Sequence, residues 1–212
     1  VNERFNPQNP KSSQLRFHTQ TAGVTLTAQQ PMNNAVRVSY QALSAVLGGT
    51  QSLHTNSYDE AIGLPTDESV KIALRTQQII ASETGVADVV DPLAGSYHVE
   101  EMTASIKENA RMLINEIEIK GGVLDCLKLG FQQKMIHESA WKEIKDIEEN
   151  SLLVVGVNCN IEEEEGLHMG MKIDSDNEKK QISKLEQFRQ TRNEEVISKI
   201  LEKLRDTCKG DE

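Results

Sequence analysis

The sequence holds 212 residues, of which 37% are hydrophobic, 26% charged and only 4% aromatic. Lysine and arginine number 23 against 33 aspartates and glutamates, a formal charge of −10 that excludes a general polyanion-binding surface and makes nucleic acid a poor partner. No apolar run approaches the roughly 18 residues of a membrane span, and the polar N-terminus lacks the apolar stretch of a signal peptide, so a soluble, cytoplasmic chain is expected.

The length suits one large domain or two small ones. Cys126, Cys159 and Cys208 are widely spaced and lack the short-range histidine partners of a zinc site, which fits a reducing compartment and a packing role. The chain begins at Val1, with Asn6-Pro7 and Asn9-Pro10 ahead of any periodic pattern, as expected of a piece of something longer. Charge is uneven. Residues 1–64 carry a balance of +1, so the remainder carries −11. The polar residues of active-site type, His18, Gln20, His54, Asn56 and Glu60, lie in that nearly neutral first third.

The first predicted element is a strand over 15–21, followed by Gly23 and the run Val24-Thr25-Leu26. Pro31 marks a helix start, and from Asn33 to Leu47 the residues Val36, Tyr40, Leu43 and Leu47 recur at helical spacing, predicting one buried stripe. Gly48-Gly49 closes this helix. A second strand is predicted over 51–57, where His-Thr-Asn-Ser at 54–57 echoes His-Thr-Gln-Thr at 18–21. The offset of about 36 residues is the length of one β/α unit. Pro65-Thr66-Asp67-Glu68 opens a helix to about Glu83, with acidic residues in the first turn where the helix dipole favours them. After the loop Asp91–Tyr97, amphipathic helices are predicted at 101–120, 123–129 and 131–149. Residues 151–157 read as a last strand, Glu162–Glu165 as a solvated acidic loop and 178–208 as one charged terminal helix.

Residues two apart in a strand share a face, so His18 goes with Gln20 and His54 with Asn56. In a parallel pair these four side chains converge at the C-terminal strand ends, where β/α proteins place their sites, and Glu60 can reach the same region. Amide and carboxylate groups suit hydrogen bonds to sugar hydroxyls or a carboxamide, and a neutral histidine can donate to a carbonyl oxygen. Taken singly, a strand-end histidine is more often structural than catalytic; the doubled His-x-Gln/Asn pattern raises the functional reading. His98, His137 and His168 sit in charged surroundings and read as surface residues. Gly48-Gly49-Thr50 lacks the P-loop lysine, and no Gly-x-Gly-x-x-Gly occurs.

Three stretches, Arg16 to Pro31, Gly48 to Ala61 and Asp91-Pro-Leu-Ala-Gly-Ser-Tyr97, closely resemble the large, catalytic subunit of the methylmalonyl-CoA mutase family, the adenosylcobalamin-dependent acyl-CoA mutases. The resemblance is specific over residues 15–100 and looser through Gly121-Gly122 and Val155 to Asn158, with residues 159–212 adding little. It implies an α/β fold: the C-terminal part of a (β/α)8 TIM barrel, holding its last two strands, with a helical extension. Residues 1–158 would be the barrel portion and 159–212 an acidic loop and terminal helix. An upstream barrel segment carrying most acyl-CoA contacts and a cobalamin-binding domain or small subunit would be partners, in a hetero- or homo-oligomer. The family's Asp-x-His-x-x-Gly lower-ligand motif does not occur around His168, which Gly166 precedes by two, and no metal ligand is expected here.

By position, Gln20, Asn56 and Glu60 match family residues that face the adenosyl group and corrin, Val24 stands where some members carry Trp against the corrin, and Gly63 lies at a backbone contact. His18 is implied to bind substrate on the same strand face. The implied activity is a radical carbon-skeleton isomerisation of methylmalonyl-CoA and succinyl-CoA, with isobutyryl-CoA mutase or a related acyl-CoA mutase as the alternative. The isolated stretch is expected to be inactive, and a non-catalytic interaction subunit retaining the barrel-end sequence is the alternative of another class.

Overall fold

In the computed structural model, which describes residues 2–162 and 174–210, the two His-Thr segments come together as β1 (Thr19–Gln20) and β2 (Leu53–His54). They pair in parallel, Thr19 opposite Leu53 and Gln20 opposite His54. Parallel pairing follows from the intervening helix, because a chain that returns through a crossover enters the sheet in its original direction. The ladder is shorter than the strands predicted at 15–21 and 51–57, and side chains account for the difference. The Phe17 amide donates to Gln51 Oε1 at 2.9 Å and the Asn56 amide to Thr21 Oγ1 at 2.9 Å, so side-chain oxygens extend the pairing where main-chain carbonyls do not.

Helix α1 (Asn2–Phe5) is a single turn, and Arg4 forms an ion pair with Glu118. Helix α2 (Asn33–Leu47) matches its predicted span, but the predicted stripe is corrected. Buried are Asn34, Val38 and Ala42, four apart, whereas Val36 is 56% and Tyr40 70% exposed and Leu43 and Leu47 are half-buried. The buried face carries a fully hydrogen-bonded asparagine, which a count of apolar residues overlooks. Val36 and Tyr40 instead line an apolar hollow with Leu153, Val154 and Val155.

Helix α3 (Asp67–Glu83) begins where Thr66 Oγ1 accepts the Ser69 amide at 3.2 Å, a side-chain cap for one of the open N–H groups of the first turn. Its buried face, Ser69, Ala73, Thr76 and Ile80, meets the strand through Thr55, whose hydroxyl donates to the Ala73 carbonyl at 2.7 Å and accepts from Gln77 Nε2 at 3.0 Å. Gly85, at φ +69°, turns the chain out of the helix. Helix α4 (Tyr97–Ile119) starts four residues ahead of the predicted Glu101, because Glu100 Oε1 reaches back to the Gly95 amide at 3.1 Å. Helices α5 (Val123–Lys128) and α6 (Phe131–Glu148) follow as predicted, and Cys126 of α5 is buried with its Sγ 3.7 Å from the Ile117 carbonyl of α4.

The strand predicted at 151–157 is absent. Asn158 takes the main-chain groups a ladder would need: its Oδ1 accepts the Val154 amide at 2.7 Å and its Nδ2 donates to the carbonyls of Ile147 and Leu152. Gly156, at φ +84°, lies buried against Gln30, leaving one isolated bridge between Val155 and Cys159. Among the described residues, 2–162 belong to one compact unit and 174–210 to another. The second contains two helices where one was predicted, α7 (Ser175–Thr191) and α8 (Glu194–Lys209). Arg192 is extended and Asn193 Oδ1 accepts the Val196 amide at 3.1 Å, so the interruption is a cap written into the sequence.

The architecture is mostly helical with a small two-stranded parallel sheet. Its only β-α-β-α segment runs over 19–83 among the described residues. The buried set there is more polar than apolar: Leu26, Val38, Ala42, Ala73 and Ile80 sit with Thr21, Asn34, Thr55, Asn56, Ser57, Asp59, Ser69 and Thr76.

Candidate functional site

The register that sets Gln20 opposite His54 also brings the next alternate residue, Asn56, within reach of Gln20. Gln20 Nε2 donates to Asn56 Oδ1 at 2.9 Å, a bond between residues 36 apart in sequence. Asn56 is 2% exposed, and its Nδ2 donates in turn to the Thr21 carbonyl at 3.0 Å. Its amide is thereby fixed from both ends, while exposed Gln20 keeps one N–H and its carbonyl oxygen for other partners. One residue pair back along the strands, His18 Nδ1 lies 2.8 Å from Ser52 Oγ. The His18 ring stands edge-on to that of His54 with centroids 6.5 Å apart. Both histidines are exposed, so the four residues predicted to converge do so along one face.

The chain leaves β1 through a tight turn, Gly23–Thr25, which α2 holds: Gln41 Oε1 accepts the Ala22 amide at 2.9 Å and Gln41 Nε2 donates to Thr25 Oγ1 at 2.7 Å. Gly23 is the point of closest approach. A Cβ there would lie 2.8 Å from Asn56 Nδ2, 3.5 Å from Glu60 Cγ and 3.6 Å from Glu60 Oε1. The absence of a side chain at Gly23 is what lets the two loops meet. Val24, next in the turn, is 91% exposed. Glu60 is exposed at the end of the turn that begins at Ser57, whose carbonyl accepts the Glu60 amide at 3.2 Å. Gly63 is also exposed, bonded through its amide to the Asp59 carbonyl at 3.1 Å, and no atom comes within 4 Å of where its Cβ would be. The structure thus brings together His18, Gln20, Asn56 and Glu60, sets Val24 beside them, and leaves Gly63 without a contact to the group.

Sequence reasoning missed Thr21, Gly23, Asn34 and Asp59. Asp59 is buried, and its Oδ2 accepts the Thr66 amide at 3.0 Å. Burial opposes its charge, but the Ser57 hydroxyl, the Thr66 amide and the Ser69 hydroxyl outweigh that and hold its carboxyl below the ordinary value. It joins the loop after β2 to the start of α3, where the helix dipole also favours an anion. Its signal was present as an acidic residue seven before a helix cap. A cleft of about 430 Å³ opens beside β2, lined by Leu53, His54, Thr55, Glu60, Val70 and Gln77.

Elsewhere, His98 and His137 are exposed, as expected of surface residues, while His168 and Glu163–Glu165 lie outside the described residues. Cys126 is buried and Cys159 half-buried, but Cys208 is exposed, which corrects the packing role expected of it. No described helix is long and apolar enough to cross a membrane.

The sequence profile described as methylmalonyl-CoA mutase matches residues 1–211. The chain belongs to the methylmalonyl-CoA mutase family. Membership extends over the terminal helices as well, which corrects the expectation that residues 159–212 add little. The chain is 45% identical over 205 residues to the 2-hydroxyisobutanoyl-CoA mutase large subunit of Aquincola tertiaricarbonis, covering 96% of this chain and 36% of that protein. It is 45% identical over 208 residues to the methylmalonyl-CoA mutase of Cereibacter sphaeroides, covering 96% and 29%. To the mitochondrial methylmalonyl-CoA mutase of Homo sapiens it is 42% identical over 203 residues, covering 95% and 27%. It therefore spans about a third or less of the length of these relatives.

Proposed function

We propose that the chain forms the C-terminal part of the catalytic (β/α)8 barrel of an adenosylcobalamin-dependent acyl-CoA mutase and contributes its last two strands. In this reading residues 1–158 belong to the barrel and 159–212 to a helical extension. The observation that carries it is the Gln20–Asn56 bridge across two parallel strands, at whose C-terminal ends Gly23 leaves room beside Glu60. A two-stranded sheet leaves an outer edge on each strand, and two strands make no independently stable sheet, so strands from the rest of a barrel have a place to add.

The residues present fit the cofactor by their chemistry. Glu60 accepts and Gln20 both donates and accepts, which suits ribose hydroxyls and the amide-bearing rim of a corrin, and the side-chain gap at Gly23 allows close approach. Gln20, Asn56 and Glu60 would hold the adenosyl side, Val24 and the Gly63 backbone the corrin side, and His18 the acyl-CoA substrate. Adenosylcobalamin, when bound, supplies radical chemistry by homolysis of its cobalt–carbon bond. The chain's own part is to orient. Asn56 is held by Thr21 and Gln20, so its amide needs no reorganisation to serve as a fixed dipole. His18, restrained through Nδ1 by Ser52, would keep its other ring nitrogen for a thioester oxygen. A closed barrel excludes water and oxygen from reactive intermediates.

Methylmalonyl-CoA and succinyl-CoA are the proposed substrate pair. A second reading, an isobutyryl-CoA or other acyl-CoA mutase, is favoured by Val24 and by the equal identity to the 2-hydroxyisobutanoyl-CoA mutase large subunit. The upstream barrel segment and a cobalamin-binding domain or subunit are the proposed partners, in an oligomer. Three unpaired cysteines support a cytoplasmic location. The test is to assay the full-length protein, with its cobalamin-binding part, on each acyl-CoA. Isomerisation that requires adenosylcobalamin is expected, and no such turnover on any of them would overturn the reading.

A further inference from the structure

The two loops that meet at Gly23 are also joined through a third residue, Asn34, in the first turn of α2 and fully buried. A side-chain amide offers two N–H donors and an oxygen with two lone pairs, and Asn34 uses all four positions. Its Nδ2 donates to the carbonyls of Thr27 and Tyr58, each at 2.8 Å. Its Oδ1 accepts the Thr27 amide at 3.1 Å and Arg37 Nη1 at 2.7 Å. The orientation is unambiguous, since a flipped amide would set its hydrogens against two donors and its oxygen against two carbonyls. Thr27 closes the loop that begins with Gly23-Val24, and Tyr58 lies between Asn56 and Glu60. Arg37 bonds further to Thr27 Oγ1 at 3.0 Å and to the Val155 carbonyl at 2.7 Å.

We propose that Asn34 is a positioning residue for the adenosylcobalamin site, stapling the loop after β1 to the loop after β2 so that Gln20, Asn56 and Glu60 are presented together. Arg37 locks the Asn34 amide in place. The inference rests on the adenosylcobalamin reading above. The chemistry is economical, because one buried side chain bonded to two loops fixes their separation, and an error of about 1 Å in such a site is costly.

The test uses the full-length protein with its cobalamin-binding part and the variant Asn34→Asp. That variant keeps the volume and both acceptor bonds but turns a carboxylate oxygen toward the two carbonyls. We expect the dissociation constant for adenosylcobalamin, followed by absorbance, to rise at least tenfold while KM for the acyl-CoA stays within twofold. Amide hydrogen exchange should quicken in peptides spanning 21–30 and 55–63 and stay unchanged over 97–148. Unchanged exchange in the two loops with affinity within twofold of wild type overturns the proposal, as does exchange that quickens equally everywhere. If Asn34→Asp does not fold, Arg37→Lys carries the same prediction at about threefold, because a lysine lacks the fork that bonds Asn34 and Val155 together. A wild-type protein that fails to bind adenosylcobalamin overturns the reading of the site, and the exchange comparison then still decides whether Asn34 holds the loops.

Discussion

The strand-end region over residues 18–60 and the helical region over 97–148 are built by opposite means. In the first, buried polar side chains bond across the sequence, as Asn56 does to Gln20 and Thr21 and Asn34 to Tyr58. In the second, polar side chains are exposed and pair along their own helix, as in Lys120–Glu116, Lys134–Glu138 and Lys145–Glu149. Buried polar bonds in a low-dielectric setting are costly to leave unmade, so each one specifies a geometry. Exposed pairs one turn apart are screened and specify little beyond helicity. The contrast shows where a mutation will be felt.

The largest effect should come from filling the gap at Gly23. Its backbone is not in the left-handed region, so the requirement is space alone. In Gly23→Ala the new methyl meets Asn56 Nδ2, which cannot swing away without breaking its bonds to Gln20 and Thr21. Overpacking of this kind costs about 1–3 kcal/mol. In the full-length protein, adenosylcobalamin affinity should fall about tenfold or more, as read by titration; affinity equal to wild type would show that the loops do not meet there.

Asp59→Asn sharpens the comparison through pH. Because the folded carboxyl lies below its ordinary value of 3.8, its contribution is complete at neutral pH and is lost as the pH falls through the lowered value. The variant should lose about 1–2 kcal/mol at pH 7, and the gap to wild type should close in acid. Urea midpoints measured from pH 7 to pH 3 check this, and a gap that persisted unchanged into acid would remove the ionised form from the account. The smallest effect belongs to the helical region. Lys134→Ala breaks an exposed pair with Glu138 at 3.7 Å and should shift stability by less than about 0.5 kcal/mol in a thermal melt.

Most helices were legible because their signals are local. The spans of α2, α3, α5 and α6 follow from apolar spacing, glycine stops and the Thr66 cap. Where a side chain overrides the pattern, the reading fails. Val36 and Tyr40 have helical spacing yet stay exposed, since the face carrying Asn34 is the one that α2 buries. The apolar run at 151–157 has strand composition, but Asn158 and Gly156 take its main-chain groups into a turn. Of the candidate site, His18, Gln20, Asn56 and Glu60 were legible from the doubled motif and strand alternation. Gly23 and Asn34 were not, because nothing in their neighbourhoods signals partners 24 to 37 residues away, and Asp59 offered only its place seven residues before the Thr66 cap.

The sequence by itself determined the family, the β/α order of the first eighty residues and which polar residues share a strand face. Those follow from residue identity and from periods of 2 and 3.6, which act over a few neighbours. Only the tertiary structure decided that Gly23 is a gap, that Asn34 ties two loops together and that Asp59 is buried and ionised. Each is a property of contact between distant segments, and contact depends on how loops close in space, which no local period records.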